Sequence, residues 1–203
     1  MKRKERKEKE KAARKKGILS AAQRVFSRKG YEATSMEDIA SEAGFGKASL
    51  YFYFKGKEEV FLSLIKTGLE EQRSLLKQIM GSQLSNVERL EALVSKLFEH
   101  VDQNREFIRI VHSESQKLYA TALEKVRSSI IREHEKTMEG IASIIQDGIR
   151  SGEFRKIEPA MAAGSLMGII RSIIFSWFVR EEKTPLDRYR PMVMEIFLKG
   201  ISK

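Results

Sequence analysis

Apolar residues return every three or four positions along almost the whole chain, and nowhere do they alternate strictly with polar ones. That period predicts helices from end to end and no strand. A first helix is expected over residues 17–29, with Ile18, Ala21, Ala22, Val25 and Phe26 on one face and Gly30 behind it. Met36, Ile39, Ala40 and Ala43 mark a second, and residues 47–54 a third that turns Leu50 and Phe54 inward. The fourth, residues 57–80, is long. Its apolar stripe runs from Val60, Phe61 and Leu64 through Leu75, Leu76 and Ile79, so one helix serves both halves of the chain and is the natural transmitter between them.

Downstream, Ser85-Asn86-Val87-Glu88 reads as a capping box opening a helix to about residue 104. A shorter one is expected over 105–117 and a long one over 119–151, the latter carrying Leu123, Val126, Ile141, Ile144 and Ile145 and stopped by Gly152. Pro159 suits the first turn of the next, to about residue 180, which is apolar almost all round and must therefore be covered on every side. Pro185 opens the last, residues 186–199.

Residues 34–57 carry the most specific local pattern. Thr34 and Ser35 are N-cap residues, and Asp38 sits where a first-turn acid suits both cap and dipole. Gly44 can take the left-handed conformation that ends a helix, and Gly46 opens the next. Two short helices across a glycine turn form a helix-turn-helix, whose second helix reads DNA. It leaves Lys47, Ala48, Ser49, Phe52 and Tyr53 facing outward.

Residues 18–65 resemble the DNA-binding domain of the TetR family of one-component regulators. The resemblance rests on Ile18-Leu19, Ala21-Ala22, Phe26, Gly30-Tyr31, Thr34-Ser35, Ile39-Ala40, Ala43-Gly44, Tyr51, Phe54 and Lys57. The chain departs from it at Gly46, Ala48 and Gly56, where the family often has Ser, Gly and a polar cap. The resemblance implies an all-α protein with a three-helix helix-turn-helix domain at 17–62 and a helical effector-binding and dimerisation domain at 63–203; composition sets off a basic arm at 1–16 ahead of them. It implies a homodimeric repressor on a pseudo-palindromic operator, released by a small apolar or amphipathic effector, with no cofactor.

Geometry and resemblance together assign roles. Thr34, Ser35, Lys57, Tyr51 and Tyr53 are expected on phosphates, which set register and carry little sequence information. Lys47, Ala48, Ser49 and Phe52 are expected at base edges, Lys47 suiting guanine and the apolar pair thymine methyls. Tyr51 and Phe52 have a competing reading as packing residues.

Charge sharpens the picture. The net charge is +10, but residues 1–16 hold ten Lys/Arg against three Glu, while 17–60 balance six against six. The basic segment reads either as an arm on DNA, mobile without it, or as a solvated leader. There is no cysteine, and His100, His112 and His134 make no ligand set, so no metal site is expected. The charged N-terminus is not a signal peptide, and the apolar run at 166–179, interrupted by Arg171, is too short to span a bilayer; a reducing cytoplasm and no membrane are expected. No zinc motif, phosphate-cradling glycine loop or nucleophile–base set supports an enzyme.

In the C-terminal half, Gly164 and Gly168, four apart, let helices approach closely, and with Ile173, Met192 and Ile196 they suit a two-helix dimer face. Tight packing within one chain is the alternative. Leu93, Leu97, Phe107, Val111, Met138, Met167, Arg171, Phe175 and Trp177 are candidates to line an effector pocket. Arg171 would pair there with an anionic or amphipathic ligand, or else pair with a carboxylate of the protein itself or reach out at an interface.

Overall fold

A computed structural model describes residues 3–121 and 124–201, and the side chains of 5–114 and 127–201. Among the described residues the elements are α1 (Arg3–Lys29), α2 (Met36–Ala43), α3 (Lys47–Tyr53), α4 (Lys57–Met80), α5 (Asn86–Gln103), α6 (Arg105–Thr121), α7 (Glu124–Ser151), α8 (Pro159–Val179), a 3-10 turn (Leu186–Tyr189) and α9 (Arg190–Ile201). Packing divides them into two units. One is Met1–Gly68 with Glu106–Ile130, the other Leu69–Arg105 with Ile131–Lys203. The division differs from the linear boundary at residue 62 because α6 packs with the first unit: Phe107 lies 5.6 Å from Phe61, ring to ring.

In the first unit Ile18, Ala21, Ala22, Val25 and Phe26 of α1 are fully buried, together with Ile39, Leu50, Val60 and Phe61. Tyr31 stacks on Phe26 and meets Phe61 edge-on. Burial first, then the carboxylates of Glu58, Glu32 and Glu114, push its phenol up to about 12, so the hydroxyl keeps its proton. Contrary to expectation, α1 does not start at Gly17. It runs through that glycine from Arg3, and the composition boundary instead marks where exposure ends and burial begins, at Ile18.

In the second unit the N-terminus of α5 is held twice. Ser85 and Glu88 form the expected capping box. Glu153, just past the left-handed Gly152, also accepts from Asn86 Nδ2 at 2.6 Å and from the Asn86 N–H at 3.1 Å. Burial raises the Glu153 carboxyl, but the bonds from Asn86, Ser151 and Val87 outweigh it and leave it below its ordinary value. The distal part of α4 meets α7 where Leu76 covers Gly140 and Arg73 Nε lies 2.8 Å from Glu133 Oε2, a charge contact and not an aligned hydrogen bond.

Two further element boundaries differ from the expectation, and one cap adds to it. The break expected at residues 117–119 lies inside α6; of the apolar positions assigned nearby, Leu123 and the Val126 side chain are outside the described residues. The last helix is preceded by a 3-10 turn, pinned where the Leu186 N–H donates to Asp102 Oδ2 at 2.9 Å. α8 is capped by a residue overlooked as a cap, Glu158, whose carboxylate accepts from the Ala160 and Met161 N–H groups.

Gly148 is a position where a side chain clashes: a Cβ there would lie 2.2 Å from Cδ2 and 2.3 Å from Cε2 of the buried Phe154 ring. Gly148→Ala should therefore lower stability by about 1–3 kcal/mol, the usual cost of overpacking, read by denaturant unfolding.

Candidate functional site

The helix-turn-helix is built from short-range bonds. Ser35 Oγ accepts from the Asp38 N–H at 3.1 Å, and the Ser35 N–H and hydroxyl donate to Asp38 Oδ2 at 3.0 and 2.8 Å. Lys29 Nζ adds a bond to the other oxygen at 2.6 Å. Lys29 first, then Ser35, hold the Asp38 carboxyl down at about 2. The folded value lies below the unfolded one, so this cap stabilises fully above the ordinary carboxylate range and is lost only as pH falls toward 2. At the other end Gly44 takes φ 70° and ψ 30°, and its N–H returns to Ala40 and Ser41.

α3 follows with Gly46 as an extended, side-chain-less N-cap. It buries Leu50, and Phe54 caps its C-terminus from within the core. Lys47, Ala48 and Ser49 are exposed, Tyr51 is 46% exposed and Phe52 73%, which removes the packing reading for those two rings. Tyr53 is half-buried between Phe45 and Phe52. Phe45 is thus partly exposed, its ring against Tyr53.

Three expected phosphate ligands are spent on the domain itself. Thr34 is 3% exposed and its hydroxyl donates to the Gly30 carbonyl at 2.6 Å, so its side chain is turned into the domain. The Ser35 hydroxyl is committed to Asp38. Lys57 Nζ donates to the Tyr31 and Glu32 carbonyls at 2.9 Å each and lies 4.7 Å above the Tyr31 ring, strapping the loop between α1 and α2.

Acids on α2 neutralise the cations around it. Glu42 takes Arg24 at 2.8 Å and Arg28 at 3.0 Å, and Glu37 forms an ion pair with Lys47, the leading base-edge candidate. The Lys47 hydrogen bond holds the Glu37 carboxyl below its usual range. The sequence hid this pairing, because which α2 residue meets Lys47 depends on the angle across the turn.

In the second unit, α8 buries Ala162, Ala163, Leu166, Ile170 and Trp177. The apolar run expected to be too short to span a bilayer belongs to a 21-residue helix that is long and apolar enough to cross one by length and composition. Its side opposite the buried residues forms an outward stripe. That stripe is Met161 at 71% exposure, Gly164, Gly168, Phe175 and Val179. A Cβ on Gly164 or Gly168 would meet open space, so neither glycine serves packing within the chain. Met192 and Ile196 of α9 are exposed as well, and Ile173 is half-buried.

The pocket candidates scatter. Phe107 and Val111 belong to the first unit and the others to the second. Leu93, Leu97 and Trp177 are buried, Met138 and Met167 half-buried. Two are corrected. Phe175 lies on the outward stripe, and Arg171 is exposed with its Nε on the Met167 carbonyl at 3.2 Å, so neither lines an interior. Trp177 is held by a set that sequence reasoning missed. Its Nε1 donates to the Thr184 carbonyl at 2.8 Å, and Arg105 stacks 3.9 Å over its ring while donating to the Glu182 carbonyl.

An all-helical chain with a glycine-turned helix pair and an exposed seven-residue second helix defines a helix-turn-helix DNA-binding regulator. Residues 18–64 match the tetR family of bacterial regulatory proteins, and residues 83–201 match the tetracyclin repressor-like C-terminal domain. The chain belongs to the tetR family. It is 30% identical to the uncharacterized HTH-type transcriptional regulator YhgD of Bacillus subtilis (strain 168) over 93% of this chain and 97% of that one. Its fold is similar to that of the transcriptional regulator FadR from Bacillus subtilis in complex with stearoyl-CoA, with TM-score 0.77, 24% identity, and 91% and 97% of the two chains covered. It is also similar to AibR in complex with isovaleryl coenzyme A and operator DNA, with TM-score 0.69, 24% identity, and 90% and 97% covered.

If Lys47 reads a base edge, Glu37 would compete with DNA for it. Glu37→Gln should tighten binding to all duplexes, whereas Lys47→Ala should relax base preference at one position per half-site; each is read by titration on selected and scrambled DNA. Equal losses on both duplexes for Lys47→Ala would remove it from the base-reading set.

Proposed function

We propose that the protein is a repressor that binds a pseudo-palindromic operator as a homodimer and releases it when an acyl-coenzyme A thioester binds its C-terminal domain. The observation that carries the DNA part is the outward face of α3, where Lys47, Ala48, Ser49, Tyr51 and Phe52 stand exposed on a helix fixed from behind by Leu50 and Phe54. On this reading Lys47, Ala48, Ser49 and Phe52 touch base edges, and Tyr51 and Tyr53 donate to phosphates. The backbone N–H groups at the starts of α2 and α4 supply the anion sites that the hydroxyls of Thr34 and Ser35 do not.

The homodimer is supported by the stripe on α8, continued by Met192 and Ile196 on α9. Apolar side chains flanking two glycines with open space above them suit the close approach of the same helices from a second copy, and a two-fold pair matches a two-fold operator.

The effector class is supported by the company the chain keeps. It is 24% identical, over 91% of its length, to a fatty acid metabolism regulator protein of Bacillus subtilis, and the FadR and AibR structures each hold an acyl-coenzyme A. Such a thioester is amphipathic, an apolar tail on an anionic head. Leu93, Leu97, Met138 and Met167 offer the second unit's apolar surface for the tail. α4 contributes residues to both units and is the covalent route for the switch.

Titration of a selected operator with and without acyl-coenzyme A of increasing chain length tests the proposal. One chain-length range should weaken binding roughly 5- to 150-fold, the usual span of an allosteric coupling. Specific binding unchanged across the whole panel would remove the effector and leave a regulator governed by another partner.

A further inference from the structure

The upstream half of α1 carries seven of the chain's ten surplus positive charges and has no part in the core: residues 5–17 are exposed throughout. Its cations are not scattered evenly. Lys7, Lys11, Arg14 and Lys15 stand at steps of four, three and one, and the same helical face continues as Ile18, Ala21, Ala22 and Val25, which enter the core. The basic stripe is therefore in register with the stripe that packs the domain, and it points to the side where α3 lies. Two contacts fix that direction. Lys11 Nζ sits 5.5 Å from the centre of the Phe52 ring, and Lys15 Nζ 5.1 Å from that of Phe54.

We infer that residues 3–16 form a rigid helical arm whose Lys7, Lys11, Arg14 and Lys15 grip the phosphates of duplex DNA flanking the bases read by α3. The inference rests on the DNA-binding reading above and extends it to a second element. Several physical points support it. The remainder of the helix-turn-helix region, residues 17–60, has no net charge, so the arm supplies most of the domain's attraction for a polyanion. Lysines four apart on one helix face repel each other in the isolated protein, and a row of phosphates relieves that repulsion. Glu10 pairs with Arg6 at 2.9 Å, off the stripe. Finally, a helix of 14 residues rises about 21 Å, roughly six steps along one DNA strand. The packed part of α1 gives the arm the nucleus that so short a helix lacks alone.

The test uses the full-length protein and a duplex carrying its selected site with ten flanking base pairs on each side. Binding is measured across a salt series for three proteins: the wild type, the stripe variant Lys7→Gln/Lys11→Gln, and a control of equal charge on the far side of the helix, Lys9→Gln/Lys16→Gln. Each phosphate contact contributes about 0.9 to the slope of log affinity against log salt. The stripe variant should lose about 1.8 per arm, and the loss should disappear when the flanks are trimmed away. The control should keep the wild-type slope, and base preference should be unchanged in all three. Circular dichroism on each protein confirms that the helix persists. If the two variants behave alike, whether both keep the slope or both lose it, the arm is not gripping DNA through this face. A wild-type protein that recognises no site at all would instead sink the DNA-binding reading itself.

Discussion

The face of α1 that carries Ile18, Ala21, Ala22, Val25 and Phe26 supports everything the protein presents to DNA. Helices of eight and seven residues, such as α2 and α3, are well below the length that is stable alone in water, about 12–15 residues. They persist because Met36, Ile39, Ala40 and Leu50 share one buried cluster with that face. Remove it and neither the turn nor the recognition helix has a reason to hold its shape. The capping bonds and the left-handed Gly44 set the angle between the two helices, but burial supplies the anchorage.

Charge is laid over that scaffold with economy. α2 is acidic where its neighbours are basic: Glu42 takes two arginines, Asp38 takes Lys29, and Glu37 takes Lys47. These pairs are exposed, so each adds little to stability. Their effect falls on binding. On the proposed base-reading role, a Lys47 held by Glu37 would exchange one partner for another on DNA, which would favour sites that offer a good acceptor and lower attraction to the rest. The basic stripe of α1, as inferred above, would work in the opposite sense, adding affinity without base preference.

What could be read from the residues alone was whatever depends on neighbours in sequence. The left-handed Gly30, Gly44 and Gly152, the boxes at Ser35 and Ser85 and the place of Pro159 all follow from backbone chemistry within a few positions. What depends on distant geometry was hidden. No spacing rule says that Lys57 will strap the Tyr31 and Glu32 carbonyls or that Glu37 will meet Lys47. α8 is apolar on nearly every side, so no periodicity tells its inward face from its outward one. An interior place for Phe175 and Arg171 is therefore a reading that periodicity permits and the fold refuses, since both are exposed. The start of α1 was misplaced for another reason: charge density suggested disorder, whereas a packed helix extends readily through Gly17 into residues of good helix propensity.

Selection of bound duplexes from a random pool, followed by sequencing, reaches the central claim most directly. A recognition helix held by α1 and presented twice by a symmetric pair predicts an enriched site made of two inverted halves at a fixed separation. Enrichment of a single unpaired half, or of no sequence at all, would contradict it.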